Sequence, residues 1–277
     1  MSYHLRTTVA LCAASLVWLG AGGAEAGLIA EDAVFAHNFE SISGDNITAL
    51  FGPTAVKTSN VSASSTNTLP FSSQHVQFPN AQVARIDTNT QLTTATSELS
   101  FSIYYNAQND TSSGLKRFLS SYDGTGSIDT DEFIFDFGAS NKLRFASAKL
   151  NVYSDGAIPR DDQWHQVGFV HDSGTVRFYL DGQPFGTDKS FTPGSVAPQG
   201  NEWFLVEDAP VANLNHEFFD NGLYDEAALW TRALSDWEMG LIAAEGVAVP
   251  EPSTCAVWAV GLALLAGCAR RRRRKAC

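Results

Sequence analysis

No cysteine lies between Gly27 and Val249: Cys12 sits near the start of the chain, and Cys255, Cys268 and Cys277 near its end. A disulfide-stapled scaffold is thereby excluded for the middle of the chain, which must rest on its hydrophobic core or on bound metal. Basic residues are scarce in the same stretch, 11 Lys and Arg against 28 Asp and Glu, a net charge of −17. A field of that sign argues against nucleic acid and anionic membrane surfaces, and favours solubility and cation binding. Paired histidines are missing as well: His37, His75, His165, His171 and His216 are scattered, with no His-x-x-x-His spacing for a metal. No Gly-x-Ser-x-Gly elbow is present to carry a nucleophilic serine.

What is present suits a globular protein of one or two domains: 277 residues, 44% hydrophobic and 17% charged. The ends have their own character. Arg6 precedes an apolar run from Val9 to Leu19, and small residues then lead to Ala24-Glu25-Ala26, the pattern of a secretory signal peptide over residues 1–26. At the other end stand Pro250-Glu251-Pro252, an apolar stretch from Thr254 to Ala269, and a basic cluster from Arg270 through Arg271 and Arg272 to Lys275. Sixteen helical residues span about 24 Å, short of the roughly 30 Å hydrocarbon core, so this segment inserts only marginally, with its arginines held on the cytoplasmic side.

Between the ends the hydrophobic period is two. Leu99, Phe101, Ile103 and Tyr105 fall on one face with Ser100 and Ser102 on the other, which predicts a half-buried strand. Phe133, Phe135 and Phe137 repeat the pattern, as do Val176, Phe178 and Leu180. Turn signals separate these runs at Tyr122-Asp123-Gly124, Ser154-Asp155-Gly156, Asp172-Ser173-Gly174 and Asp181-Gly182, the last a two-residue hairpin. Many short strands predict an all-β sandwich or barrel. Residues 41–70, rich in Ser, Thr, Asn and Ala, read as long loops around one short strand. A single helix is expected after Ser235, where Ser235-Asp236-Trp237-Glu238 forms a capping box and Gly246 ends the run.

Two stretches are more specific. Gln163-Trp164-His165-Gln166-Val167-Gly168-Phe169-Val170-His171, followed by Phe178-Tyr179-Leu180-Asp181-Gly182, and then Gly222-Leu223-Tyr224-Asp225-Glu226 through Arg232-Ala233-Leu234-Ser235, resemble the laminin G-like, concanavalin A-like family. The resemblance implies a two-sheet antiparallel jelly-roll sandwich over residues 27–247, closed by one short C-terminal helix. The tail from residue 248 to 277 resembles the PEP-CTERM sorting signal. That implies an exosortase-type processing enzyme as partner, a transient membrane contact through the C-terminal transmembrane segment, and an address at the cell envelope or in the extracellular matrix.

The resemblance also implies a site. Members of the family often hold a Ca²⁺ ion between an N-terminal loop and the aspartate of the terminal strand, here Asp225. Glu40, or Asp45 with Asn46, would complete a set of oxygen ligands. The opposing reading has Asp225 and Glu226 simply alternating across an edge strand. Sugar-cleaving relatives of the fold place their carboxylates in a Glu-x-Asp-x-x-Glu run, which does not occur here; Asp129, Asp131, Glu132 and Asp136 are in another order. The expectation is therefore a non-enzymatic domain that binds an extracellular glycan or surface protein, with Trp203, Tyr153 and Tyr122 as candidate stacking aromatics. A purely structural matrix protein and a divergent polysaccharide hydrolase or lyase are the alternatives.

Overall fold

The computed structural model describes residues 32–79, 84–110, 116–122, 133–147, 150–192, 196, 202–206, 219 and 221–247. The signal peptide, Asp129, Asp131, Glu132, His216, the Pro-Glu-Pro segment, the apolar stretch and the arginines lie outside these residues. Among the described residues no helix is long and apolar enough to cross a membrane.

In chain order the strands are β1 (Ala33–His37), β2 (Ile42–Ser43), β3 (Asn46–Ile47), β4 (Ala55–Lys57), β5 (Ser62–Ser64), β6 (His75–Gln77), β7 (Ile86–Gln91), β8 (Glu98–Asn106), β9 (Lys116–Tyr122), β10 (Phe133–Phe137), β11 (Lys142–Ser147), β12 (Leu150–Ala157), β13 (Trp164–Asp172), β14 (Thr175–Leu180), β15 (Gln183–Pro184), β16 (Lys189–Ser190), β17 (Glu202–Leu205) and β18 (Leu223–Trp230). The helix α1 (Asp236–Glu245) follows. One sheet runs β15-β14-β13-β8-β18-β6-β5, with β1 also on β18 and β16 on β14; the other runs β12-β11-β10-β9-β17-β7-β4-β3-β2. This is the expected all-β jelly-roll sandwich, antiparallel throughout.

The period-2 residues meet between the sheets. Phe101 of the first sheet lies edge-on to Phe135 of the second at 5.9 Å, and Phe169 contacts Phe133, Phe135 and Phe145 at 5.5, 5.0 and 4.9 Å. Edge-to-face and tilted rings at these distances add to the stabilisation from burying their area. Trp203 is fully buried against Phe133 and is not available to a ligand.

Three local expectations change. Strand β8 is buried on both faces, because α1 and the segment before it cover the outer one. There the Ser100 hydroxyl donates to the Arg232 carbonyl at 2.7 Å and accepts from Leu234 N–H at 3.0 Å, while Glu98 accepts from Ala233 N–H. The Arg232-Ala233-Leu234 stretch thus serves as a strap, its Arg232 carbonyl and its Ala233 and Leu234 N–H groups bonded to side chains of β8. Residues 41–70 hold four short strands rather than one, because β2, β3 and β4 extend the second sheet and β5 the first. Short polar strands of this kind carry too few alternating apolar residues to register as a pattern. Finally, Ser154-Asp155-Gly156 is not a turn but lies within β12, where pairing with β11 shifts register between Lys142 and Arg144. The Ser154 hydroxyl accepts from Leu143 N–H and donates to Gly156 C=O, so the turn-forming residues stabilise a bulge instead.

The capping box at Ser235 forms as the sequence predicts, with both reciprocal hydrogen bonds. Helix α1 packs over the Asp181-Gly182 hairpin turn, whose φ values are 50° and 74°. A Cβ on Gly182 would lie 2.6 Å from Ala243 Cβ and 2.9 Å from Gly240 Cα, so glycine both allows the left-handed turn and admits the helix.

Candidate functional site

Strand β18 is central, not an edge: β8 flanks it on one side, and two strands share the other. Leu223 and Tyr224 pair with β6, whereas Ala227 to Leu229 pair with the His37–Phe35 part of β1. Asp225 and Glu226 occupy the gap between these two partners. The register with β8 slips between Asp225 and Ala228, and Glu226 has φ 52°, the left-handed backbone of a bulge. The strand is buried on both faces, and both carboxylates are fully buried.

Chain segments leaving β1 and entering β6 close this gap. The Glu40 carboxylate accepts Ser72 Oγ–H and Ser73 N–H, each at 2.7 Å, and also the Ser73 hydroxyl and Gln74 N–H. Burial pushes the Glu40 carboxyl up, but the hydroxyls of Ser73 and Ser72 and the two N–H groups outweigh it and hold the carboxyl below its ordinary value. Asp225 has the opposite balance. Burial first, and the neighbouring Glu226 charge second, push it up to about 9, with Glu40 adding to the rise. Its Oδ1 accepts Glu226 N–H at 2.9 Å, and its Oδ2 is buried without a hydrogen-bond partner. Ser72 eases the charge on Asp225, but its hydroxyl lies at 2.7 Å from both Glu40 and the Gln74 carbonyl, leaving Oδ2 the weakest claim on the proton.

An orphaned carboxylate oxygen among carboxylates fits a hard cation, which would replace the missing donor and cancel the crowding. Asp225 and Glu40 come together as the resemblance implies. Asp45 and Asn46 do not: Asp45 sits on the β2–β3 turn of the other sheet, facing Lys57 Nζ at 3.4 Å, and Asn46 opens β3, paired with Ser43 and Val56. Among the described residues no three His, Cys, Asp or Glu side chains converge as a ready cage. A cation here would draw its other oxygens from groups such as the Ser72 hydroxyl.

The histidines divide into two kinds. His165 is engaged on both nitrogens, with Asp181 at 3.0 Å and Asp161 at 3.2 Å, and the Asp181 hydrogen bond foremost raises its pKa. His37, His75 and His171 are all fully buried, and neither ring nitrogen of any of them has a hydrogen-bond partner. Among aromatics, Tyr153 is 40% exposed on β12 and pairs across the sheet with Arg144. Arg144 makes a bidentate contact to the fully buried Asp136. The side chain of Tyr122 lies outside the described set.

A family model for the concanavalin A-like lectin/glucanase superfamily matches residues 72–239, more than half of the chain. The chain belongs to this superfamily. A second model, the PEP-CTERM protein-sorting motif, matches residues 248–274. The chain therefore joins a concanavalin A-like domain to a signal for export and membrane-tethered sorting in bacteria. No protein with a curated description matches it significantly. Among solved structures, domain 4 of AbnA, a GH43 extracellular arabinanase from Geobacillus stearothermophilus in complex with arabinotriose, superposes with a TM-score of 0.55 at 15% identity, covering 76% of this chain and 98% of that one. A Trypanosoma rangeli sialidase complex gives 0.54 at 12% identity over 76% of this chain and 32% of the sialidase. The Botulinum neurotoxin serotype G binding domain gives 0.53 at 11% identity, over 76% and 50%. The chain spans about a third of the length of the sialidases it matches, and these likenesses establish the fold alone.

Superfamily membership leaves the roles of Glu226 and Ser72 unassigned, and the sequence reading missed both. The only sequence signal was two adjacent acids in a strand otherwise free of charge, Leu223 to Trp230.

Proposed function

We propose that the superfamily domain is a non-enzymatic binding module for an extracellular glycan, exported and delivered by the sorting signal, with Ca²⁺ as a structural ion at Asp225 and Glu40. The observation that carries the glycan reading is the outer face of the second sheet. There the exposed Tyr153 ring stands beside an arginine already fixed by a buried carboxylate. An aromatic plate next to a preorganised polar group suits a sugar ring, which offers a C–H face and hydroxyl edges. Arabinotriose bound to the AbnA domain, on the same fold, supports the reading by analogy. At Asp136 hydrolysis is disfavoured, because both of its oxygens are engaged by Arg144.

The ion would be held by the Asp225 and Glu40 carboxylates and the Ser72 hydroxyl, where its charge would fix the segments that leave β1 and enter β6. An exosortase-type enzyme is the proposed partner for the Pro-Glu-Pro segment, leaving the domain at the outer surface or in the matrix. A polysaccharide array, run with calcium and with EDTA, tests the reading. Binding to at least one polysaccharide is expected, with at least tenfold loss in Tyr153→Ala. Failure to bind any polysaccharide would favour a purely structural matrix role, and release of reducing ends would overturn the non-enzymatic assignment.

A further inference from the structure

The sorting motif begins at residue 248, one residue beyond Val247, the last described residue of the domain. At that point the chain is held from beneath. Val247 is buried, and its N–H donates to Glu226 Oε2 at 2.6 Å. Gly246, with φ 80°, lies so close that a Cβ would stand 2.8 Å from the Phe71 ring and 2.9 Å from Glu226 Oε2. Phe71 in turn lies edge-on to Tyr104 at 5.6 Å, and the Tyr104 hydroxyl donates to the Ile242 carbonyl at 3.1 Å, near the end of α1. These contacts form a seat for the chain just as it leaves the helix.

We propose that Glu226 is a clasp that fixes the C-terminal end of the domain, the residue from which the sorting signal follows in sequence. A buried carboxylate accepting a backbone N–H makes a charge-assisted bond, stronger than a neutral one. The bulge at Glu226 gives that carboxylate its place: in a regular strand it would point to the opposite face from Asp225, whereas here both acids enter the same gap. Only Ala248 and Val249 stand between Val247 and Pro250, a reach of about 10 Å at full extension. The clasp therefore fixes the last described residue of the domain, immediately before the sorting motif begins in the sequence. Nothing in the matched family or sorting motif assigns this role to Glu226.

The clasp also touches the proposed ion site, since Glu226 N–H donates to Asp225 Oδ1. On the calcium reading, an ion that orders Asp225 should tighten this end of the domain as well. This coupling rests on that reading, whereas the clasp itself rests on the Val247 contact.

Amide hydrogen exchange on the full chain, followed by mass spectrometry of peptides spanning residues 244–250, reads the clasp directly. Glu226→Ala is expected to speed exchange at Val247 at least tenfold while amides of β13 keep their protection; Glu226→Gln, which retains shape and an acceptor but not charge, should fall between. Unchanged exchange at Val247 in a folded Glu226→Ala protein overturns the proposal, and so does equal acceleration at Val247 and in β13, which marks a general loss of stability. If Glu226→Ala does not fold, the Gln variant decides by the same comparison. Added calcium should slow Val247 exchange in the parent but not in Glu226→Ala. A melting temperature indifferent to calcium removes the ion reading and leaves the clasp to stand or fall on the calcium-free comparison.

Discussion

Replacing Asp225 with asparagine raises the melting temperature of the calcium-free protein at pH 8, by roughly 6–12 °C. The reason is the energy held in the buried carboxyl. Its folded pKa is pushed up to about 9 from an ordinary 3.8, so between those values the folded state holds a proton that the unfolded state has released. Stability then falls by about 1.4 kcal/mol per pH unit as pH rises through that window. Asparagine is neutral at every pH, and its amide can donate to the carboxylates that crowd this position. Discounting for relaxation, the gain is about 3 kcal/mol. Calcium nearly cancels the difference: the parent gains about 2.7 kcal/mol at a hundredfold excess over Kd, and Asp225→Asn gains nothing. Melting scans of both proteins, with calcium and with EDTA, give the four values needed. A variant that melts lower than its parent in EDTA contradicts the burial argument.

Acidification destabilises the domain through its buried histidines. Burial lowers His37 to about 4 and shifts His75 and His171 in the same direction. For groups depressed in this way the stabilisation is fully present above the unfolded value near 6.5 and is lost as pH falls toward the folded value. Each such histidine makes the unfolded state bind one more proton than the folded state. Over about 2.5 pH units His37 alone accounts for about 3 kcal/mol. Among the described residues, His165, whose pKa is raised, and Asp225, which accepts its proton more easily as pH falls, work in the other direction. Urea titrations from pH 7 to pH 4.5 in the Asp225→Asn background remove the second of these. His37→Leu should then flatten the pH profile by close to one proton. It should also raise stability at pH 7, because two orphaned ring nitrogens disappear from between Phe35 and Phe39. An unchanged slope would show that His37 reaches solvent.

The sandwich was legible because its strongest strands are those with the plainest alternation. Phe133, Phe135 and Phe137 could be assigned to one face before any contact was known, and the capping box at Ser235 is a local device that needs no tertiary information. The β2 to β5 segments were not legible, since strands of two or three residues gain their stability from neighbours rather than from their own pattern. At the candidate site, the resemblance pointed to Asp225 and to a loop acid. Choosing Glu40 over Asp45 and Asn46 required knowing which segments border β18, a fact of topology. Glu226 was hidden for a different reason. A period of two assigns neighbouring residues to opposite faces, and only a bulge, with its single left-handed residue, sends two successive carboxylates into one gap.

Isothermal titration of calcium into the protein at pH 7.5, repeated in buffers of different ionisation enthalpy, tests the buried carboxylate site most directly. An ion that binds Asp225 must displace the proton held there by a pKa near 9. The account predicts one ion per chain with close to one proton released, and loss of both in Asp225→Asn. Absence of binding, or binding without proton release, would contradict it.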